Sequence, residues 1–442
     1  MLRAGTSIID ISPNKGIELA GYPHFLRHNT GIHDPLFASC ILLEDERNKV
    51  ALICMDILFF SKKYVNEVRR RVSKKIDIKP DNIMIACSHT HSGPWASGRL
   101  DLEALEKCLK PDYDYLEGLK EKIVDLVVNA NDNMFHAKVG SDFGICGKEC
   151  GLGGNRRTPD GPSDPEVWVI GIKDLEDNYK AVLVKYSLHP TVIHEDNTLV
   201  TADYPAYIRK YLSEKKPGMI LLFAQGTSGD QSTRYFRKGQ SFSEAERIGT
   251  EIGKVSNQVL DSLQFSQKIK IFLESKEINV DLRILPSIEE ANKSVKITGK
   301  KLKELKKKNA PYLEIQNANL NNLGTESTLI YTKLKNKGIS IDLVTDELPA
   351  EIQIIGIGDT RIIGLQGEIF VEFGLDIQKR SPFKKTFIIE LANGALPGYV
   401  CTEKAIEKGG YETETTLMTG KTGERFVDTA LELLNKCNFK KD

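Results

Sequence analysis

Two histidines, His89 and His91, stand one residue apart in the stretch SHTHSGP, at the end of an apolar run. If the chain stays extended there, both imidazoles look into one space, because residues i and i+2 of a strand share a face. HxH spacing at a strand end is a common way to present nitrogen ligands to Zn2+, and Ser88, Thr90 and Ser92 could hold the ring tautomers by hydrogen bonds. The competing reading is a polar turn closed by Gly93 and Pro94. A third histidine, His189, closes the run KAVLVKYSLHP, and Glu368 follows IIGLQG where the chain leaves a strand and enters a helix. Two histidines, a carboxylate and an open position suit a catalytic zinc centre. Glu368 is equally a first-turn residue that complements a helix dipole.

Other polar residues cluster at similar places. Asp203, just before Pro205, reads first as a helix N-cap and second as a residue that orients His189 or His91. His194 lies among polar residues and reads as a surface-loop histidine. The glycine-rich turn AQGTSGDQSTR (224–234) has neither a P-loop nor a GxGxxG pattern, so phosphate cradling is not supported, and without GxSxG Ser232 has no nucleophile elbow. Arg156 and Arg157 in GGNRRTPDGP are donors suited to an oxygen-rich substrate.

The elements that must position these residues are legible as apolar runs. They fall at 36–44, 50–58, 82–88, 166–172, 180–188, 218–225, 351–358 and 360–366, several of them apolar on both faces. Helical spacing intervenes, as in 113–135, where Leu116, Leu119, Ile123, Leu126, Val127 and Ala130 line one face. The stretch 61–76 opens with Ser61, a good cap. The pattern predicts an α/β chain, 1–442 as a single domain, with a large, mostly parallel or mixed central sheet flanked by helices. Asp56, His89, His189, residues 226–230 and Glu368 each end or follow a strand, so they are expected to converge in one crevice. From 286 to 336 the chain turns helical and lysine-rich, and Pro311 splits it into a helical hairpin inserted on the surface. That lysine run reads as a solvated face, and as a weak contact for an anionic membrane surface.

Balanced charge, 61 Lys+Arg against 61 Asp+Glu, excludes a nucleic-acid footprint. No apolar run reaches the roughly 18 residues of a membrane span. The N-terminus reads as a strand rather than a signal peptide, and the eight cysteines, without a CxxC pair, read as reduced thiols; for Cys146 and Cys150 a metal site or a disulfide is the alternative. Both point to a cytoplasmic location.

Taken together, AGTSIIDISP, GIHDPLFASCILLE, SHTHSGP, GNRR, SLHPT, AQGTSGDQS, GLQGEIF and ANGALPGYVCTEKAIEKGGYE resemble the catalytic domain of the neutral/alkaline non-lysosomal ceramidases, which cleave the amide bond of N-acylsphingosines. The resemblance covers most of the chain and leaves out the lysine-rich hairpin. It implies one zinc ion held by His89, His189, Glu368 and Tyr399, with His91 beside the metal for substrate contact or proton transfer. It further implies that Tyr411 hydrogen-bonds the scissile amide, that Arg156 rather than Arg157 contacts substrate, and that Ser232 is the serine of the family hexapeptide. Spacing alone makes both His89 and His91 ligands, whereas the family uses only the first. On this reading zinc activates a water, Tyr411 shares the oxyanion, and His91 protonates the leaving amine.

The chain also departs from the family. The hexapeptide continues as Gln231, Ser232, Thr233 and Arg234, where the long enzymes have valine, serine, proline and asparagine, and the chain is expected to be a short form without the C-terminal immunoglobulin-like domain of those enzymes. The leading expectation is therefore a zinc hydrolase of a small-molecule or lipid N-acyl amine, ceramide-like by resemblance. The alternatives are a zinc amidase of a smaller polar substrate, an amidohydrolase-type barrel, for which no convincing ligand set is found, and a non-catalytic metal- or lipid-binding relative.

Overall fold

A computed structural model describes residues 1–22, 25–96, 112–338 and 347–439. Cys108 lies outside them. Eight strands form the larger sheet: β1 (Arg3–Asp10), β2 (Phe37–Glu44), β3 (Lys49–Met55), β4 (Ile83–Cys87), β5 (Phe135–Ile145), β6 (Glu166–Asp174), β7 (Tyr179–Tyr186) and β8 (Ile220–Gln225). Their spatial order is β8-β7-β6-β5-β1-β2-β3-β4. The outermost ladders, β8 with β7 and β3 with β4, are parallel. Those between are antiparallel, so the sheet is mixed rather than mostly parallel.

A second sheet takes up the later apolar runs: β9 (Ile271–Ile278), β10 (Ala350–Ile357), β11 (Thr360–Leu365) and β12 (Lys385–Ile389), in that order. The two sheets pack face to face. Ile41, Leu43 and Leu52 of the larger sheet share one cluster with Ile355, Ile357, Ile362 and Phe387 of the smaller. Strand periodicity sends the alternate residues outward. Ala38, Cys40 and Leu42 meet helices α1 (Lys62–Lys75) and α2 (Tyr113–Asp132). Val167, Val169, Val182 and Val184 meet α3 (Tyr204–Lys215) and α4 (Phe242–Ser262). The runs are apolar on both faces because one face meets helices and the other meets a sheet. Truncating Ile355, fully buried between the sheets, to alanine costs about 2–5 kcal/mol.

The helix signals are partly literal. The face of α2 read from its spacing is buried, and the Asp112 carboxylate accepts the Tyr115 N–H at 2.8 Å. In α1 the Ser61 hydroxyl makes no cap bond, and Glu347 Oε2, from across the fold, accepts the Lys62 N–H at 3.0 Å instead. The lysine-rich stretch forms α5 (Ile288–Lys307), opened by a Ser287–Glu290 capping box, and α6 (Tyr312–Asn336), which starts after Pro311. Lys301, Lys303, Lys306 and Lys307 of α5 are exposed.

Three further helices, α7 (Val371–Arg380), α8 (Glu403–Lys408) and α9 (Tyr411–Thr415), follow, and α10 (Lys421–Phe439) ends the described chain. Phe373 and Ile377 of α7 and Phe426 and Leu434 of α10 cover the outer face of the second sheet. Helix α6 is seated on α9: Thr328 donates to the Glu414 carbonyl at 2.7 Å, and a Cβ on Gly324 would lie 2.9 Å from the Glu414 Cβ. No helix among the described residues is long and apolar enough to cross a membrane.

Candidate active site

Three strand ends from two sheets bring the predicted ligands together. His89 lies two residues beyond β4, His189 three beyond β7 and Glu368 three beyond β11, and all three are buried. Glu368 Oε2 sits 3.1 Å from His189 Nε2 and 3.3 Å from His89 Nε2, while His91 Nε2 lies 3.3 Å from His89 Nε2. The shared space follows from a turn rather than an extended chain: His89 has φ 68°, a left-handed conformation that costs a residue with a Cβ about 1–3 kcal/mol. Its N–H is fixed to the Ile57 carbonyl at 3.0 Å.

The tautomers are set by backbone carbonyls, not by the flanking serines and threonine. His89 Nδ1 donates to Leu58 O at 3.2 Å and His189 Nδ1 to Ser228 O at 2.7 Å. Each therefore turns the lone pair of Nε2 inward, toward the Glu368 carboxylate. Burial and then Arg156 lower His189 to about 4, so its imidazole is neutral near pH 7. Two inward lone pairs facing one carboxylate oxygen are acceptors facing an acceptor, the arrangement a cation satisfies. One ring nitrogen each of His89, His91 and His189 lies within 4.8 Å of the others, so His91 also falls inside the cluster.

Behind this layer stand residues that had no individual role in the sequence reading, Ser228 of the 226–230 turn among them. Ser228 Oγ donates to Glu390 Oε1 at 2.5 Å, accepts from Gln225 Nε2 at 2.6 Å and approaches His189 Nδ1 at 3.2 Å. Glu390 Oε2 accepts the Ile369 N–H at 2.6 Å, tying the loop after Glu368 to the same network. Burial pushes the Glu390 carboxyl well above its usual range. Arg27 Nη2 grips the carbonyls of Ala20 at 2.6 Å and His91 at 2.7 Å. Gly21, at φ 100°, lets the chain lie on His91, for a Cβ there would sit 2.6 Å from the His91 side chain. His91 Nδ1 is buried without a partner among the described residues.

Tyr399 pairs in parallel register with Glu368, and its ring centroid lies 6.5 Å from that of His189 and 6.2 Å from that of Tyr411. The two neighbouring arginines part company. Both bind Glu412, Arg156 Nε at 2.8 Å and Arg157 Nη1 at 2.8 Å. Arg156 then turns to the site, with its guanidinium 5.1 Å above the Tyr399 ring and Nη2 on the Gly229 carbonyl at 2.8 Å. Arg157 turns away, donating to the Gly409 carbonyl at 2.6 Å.

These groups edge a pocket of ≈ 960 Å³, open to solvent, whose walls include His91, Arg156, Ser232, Tyr399 and Tyr411. One wall is α6, through Tyr312, Leu313, Leu320 and Leu323, so the hairpin expected at the periphery walls the pocket. His194, expected on the surface, lines it as well. Ser232 Oγ accepts the Arg234 N–H at 3.2 Å. Asp203 does not orient a histidine: its carboxylate accepts the Tyr204 N–H at 2.7 Å and the Ile193 N–H at 2.9 Å, as an N-cap and loop anchor. Nor does Asp56 reach the crevice; it pairs with Arg209 at 2.8 Å.

Fold and site define a four-layer α/β protein with a buried imidazole–carboxylate centre beside a half-apolar pocket. Residues 2–136 match the family model described as neutral/alkaline non-lysosomal ceramidase, N-terminal. The neutral ceramidases of Drosophila melanogaster and Drosophila pseudoobscura pseudoobscura are each 24% identical over 259 residues, 52% of this chain and 36% of theirs. The chain thus matches about a third of the length of those relatives. The crystal structure of neutral ceramidase from Pseudomonas aeruginosa has the same fold, with a TM-score of 0.76 at 16% identity, over 99% of this chain and 75% of that one. A ceramidase complexed with C2 follows at 0.73 and 15%, with the same coverage. These findings support the neutral/alkaline non-lysosomal ceramidase family for this chain, the family its motifs resemble.

Proposed function

We propose that this chain is a zinc-dependent hydrolase that cleaves the amide bond of an N-acyl amine, with a ceramide-like N-acylsphingosine as the substrate class the family suggests. The observation that carries the reading is the meeting of two Nε2 lone pairs, fixed by the Leu58 and Ser228 carbonyls, with the Glu368 carboxylate. His89, His189 and Glu368 would hold the ion, and Tyr399, beside Glu368, completes the set implied by resemblance. Bound there, Zn2+ supplies Lewis acidity and activates a water.

The remaining steps belong to the chain. Arg156, locked by Glu412 and the Gly229 carbonyl, and Tyr411, on the same pocket, are placed to donate to the amide oxygen as negative charge develops on it. Locked donors need little reorganisation at that moment. His91, at the edge of the cluster with Nδ1 unpartnered among the described residues, would carry a proton from the attacking water to the leaving amine. Ser232 offers a hydroxyl to substrate, and its bond from Arg234 N–H gives it no base. The leucines of α6 offer the acyl chain an apolar wall.

Hydrolysis of a short-chain ceramide and of simple N-acyl amides, before and after chelation and with zinc restored, tests the reading. Turnover that disappears with the metal and returns with it supports it. Absence of any amide turnover by the zinc-loaded protein would refute it. The cytoplasmic location is likewise proposed, on the free cysteines of the described chain, Cys146 and Cys150 among them; cell fractionation checks it.

A further inference from the structure

The pocket carries two arginines that the reaction above does not use. Arg234 and Arg237 lie three residues apart on one turn, closed by bonds from the Phe236 and Arg237 N–H groups to the Thr233 carbonyl, and both line the pocket. Their hydrogen bonds to described residues all end on neutral acceptors. Arg234 Nη1 reaches the Arg156 carbonyl at 3.1 Å and Asn317 Oδ1 at 3.4 Å. Arg237 Nη1 reaches His194 Nε2 at 2.9 Å and the Thr191 carbonyl at 3.4 Å. Glu195, the carboxylate among the pocket-lining residues, is engaged at 2.5 Å by the other ring nitrogen of His194.

Glu412 and Glu195 act on Arg234 and Arg237 only through space, Glu412 being bonded to Arg156 and Arg157. Half-buried guanidinium groups with no carboxylate bonded to them are costly, and a bound anion offsets that cost. Opposite them stands the apolar face of α6, with Leu313, Leu320 and Leu323. Cations on one wall and leucines on another suit an amphiphile with a charged end. The neutral hydroxyls of an N-acylsphingosine leave both guanidinium groups unmatched.

We propose that the pocket selects N-acyl amines that bear an anionic group, a carboxylate or a phosphate ester, and that Arg234 and Arg237 bind it. The inference rests on the amide-hydrolase reading for the scissile bond. Its own content is the charge of the substrate.

Binding calorimetry at low salt tests it with N-octanoylglycine, N-octanoyl phosphoethanolamine and the neutral N-octanoylethanolamine. At least one anion is expected to bind about tenfold more tightly than the neutral amide, and which one does so assigns carboxylate or phosphate. That advantage should vanish in the Arg234→Gln/Arg237→Gln variant, persist in part in Arg237→Lys, and shrink for the unaltered protein as salt rises. Should the double variant misfold, Arg237→Gln alone and the salt series decide. Equal affinities for anion and neutral amide, or a preference untouched by the substitutions, would overturn the proposal. Binding preference without turnover of any amide would count against the hydrolase reading and not against this one.

Discussion

Glu368 Oε2 lies 3.1 Å from His189 Nε2, although the two residues are 179 apart in sequence and leave strands of different sheets. The face-to-face packing of those sheets creates this contact. The centre is therefore formed by tertiary structure as a whole and tied at its back by Ser228 and Glu390, which connect the loop that holds His189 to the loop that holds Glu368.

His89 and His91 should behave differently despite sharing the cluster. His91→Ala is expected to keep about one zinc per chain and to lower kcat/KM by about 10²–10⁴. His89→Ala should lose the metal and the activity together. Metal analysis beside steady-state kinetics checks this. Loss of zinc in His91→Ala would make His91 a ligand.

Glu412 neutralises two arginines with different duties. Glu412→Ala leaves both without their shared carboxylate and should cost about 3–5 kcal/mol in urea denaturation. Arg157→Lys should lower stability with kcat little changed, because Arg157 anchors the Gly409 carbonyl. Arg156→Lys should chiefly lower kcat, since it loses the guanidinium fork over Tyr399. The opposite split would remove Arg156 from the reaction.

Asp203 makes stability depend on pH. Burial pushes its carboxyl up to about 7 from an ordinary 3.8, against the bonds from Ile193 and Tyr204. The folded chain then holds this proton more tightly than the unfolded chain. The stability it contributes is fully present below 3.8 and is lost as pH rises through about 7. Asp203→Asn cannot titrate. Between about pH 5 and pH 7 the wild type should lose on the order of 2 kcal/mol relative to this variant. Parallel melting curves across that range would contradict the assignment.

Much of this was legible because local rules were obeyed. Runs such as 36–44 and 351–358 are apolar on both faces, and each is a buried strand. His89, His189 and Glu368 stand at strand ends, where open α/β sheets place their chemistry. The division into two sheets was hidden, because a strand buried under a sheet and one buried under a helix share one pattern. Glu390 carried no motif, and Ser228 and Glu412 lay inside quoted stretches with no role of their own, because their importance lies in partners from 39 to 256 residues away. The same distance concealed the role of α6, whose solvated neighbour α5 dominates the composition of the hairpin. Asp203 misled because a cap and a ligand-orienting carboxylate look alike in sequence, and only its bonds to Ile193 and Tyr204 separate them.

Zinc stoichiometry tests the central claim most directly, by elemental analysis of the purified protein dialysed against trace zinc, beside Glu368→Gln and His189→Ala. About one equivalent in the wild type and a loss of tenfold or more in zinc affinity in each variant is the expected result. A wild-type protein that takes up no zinc, or variants that bind it as the wild type does, would contradict a metal centre built on His89, His189 and Glu368.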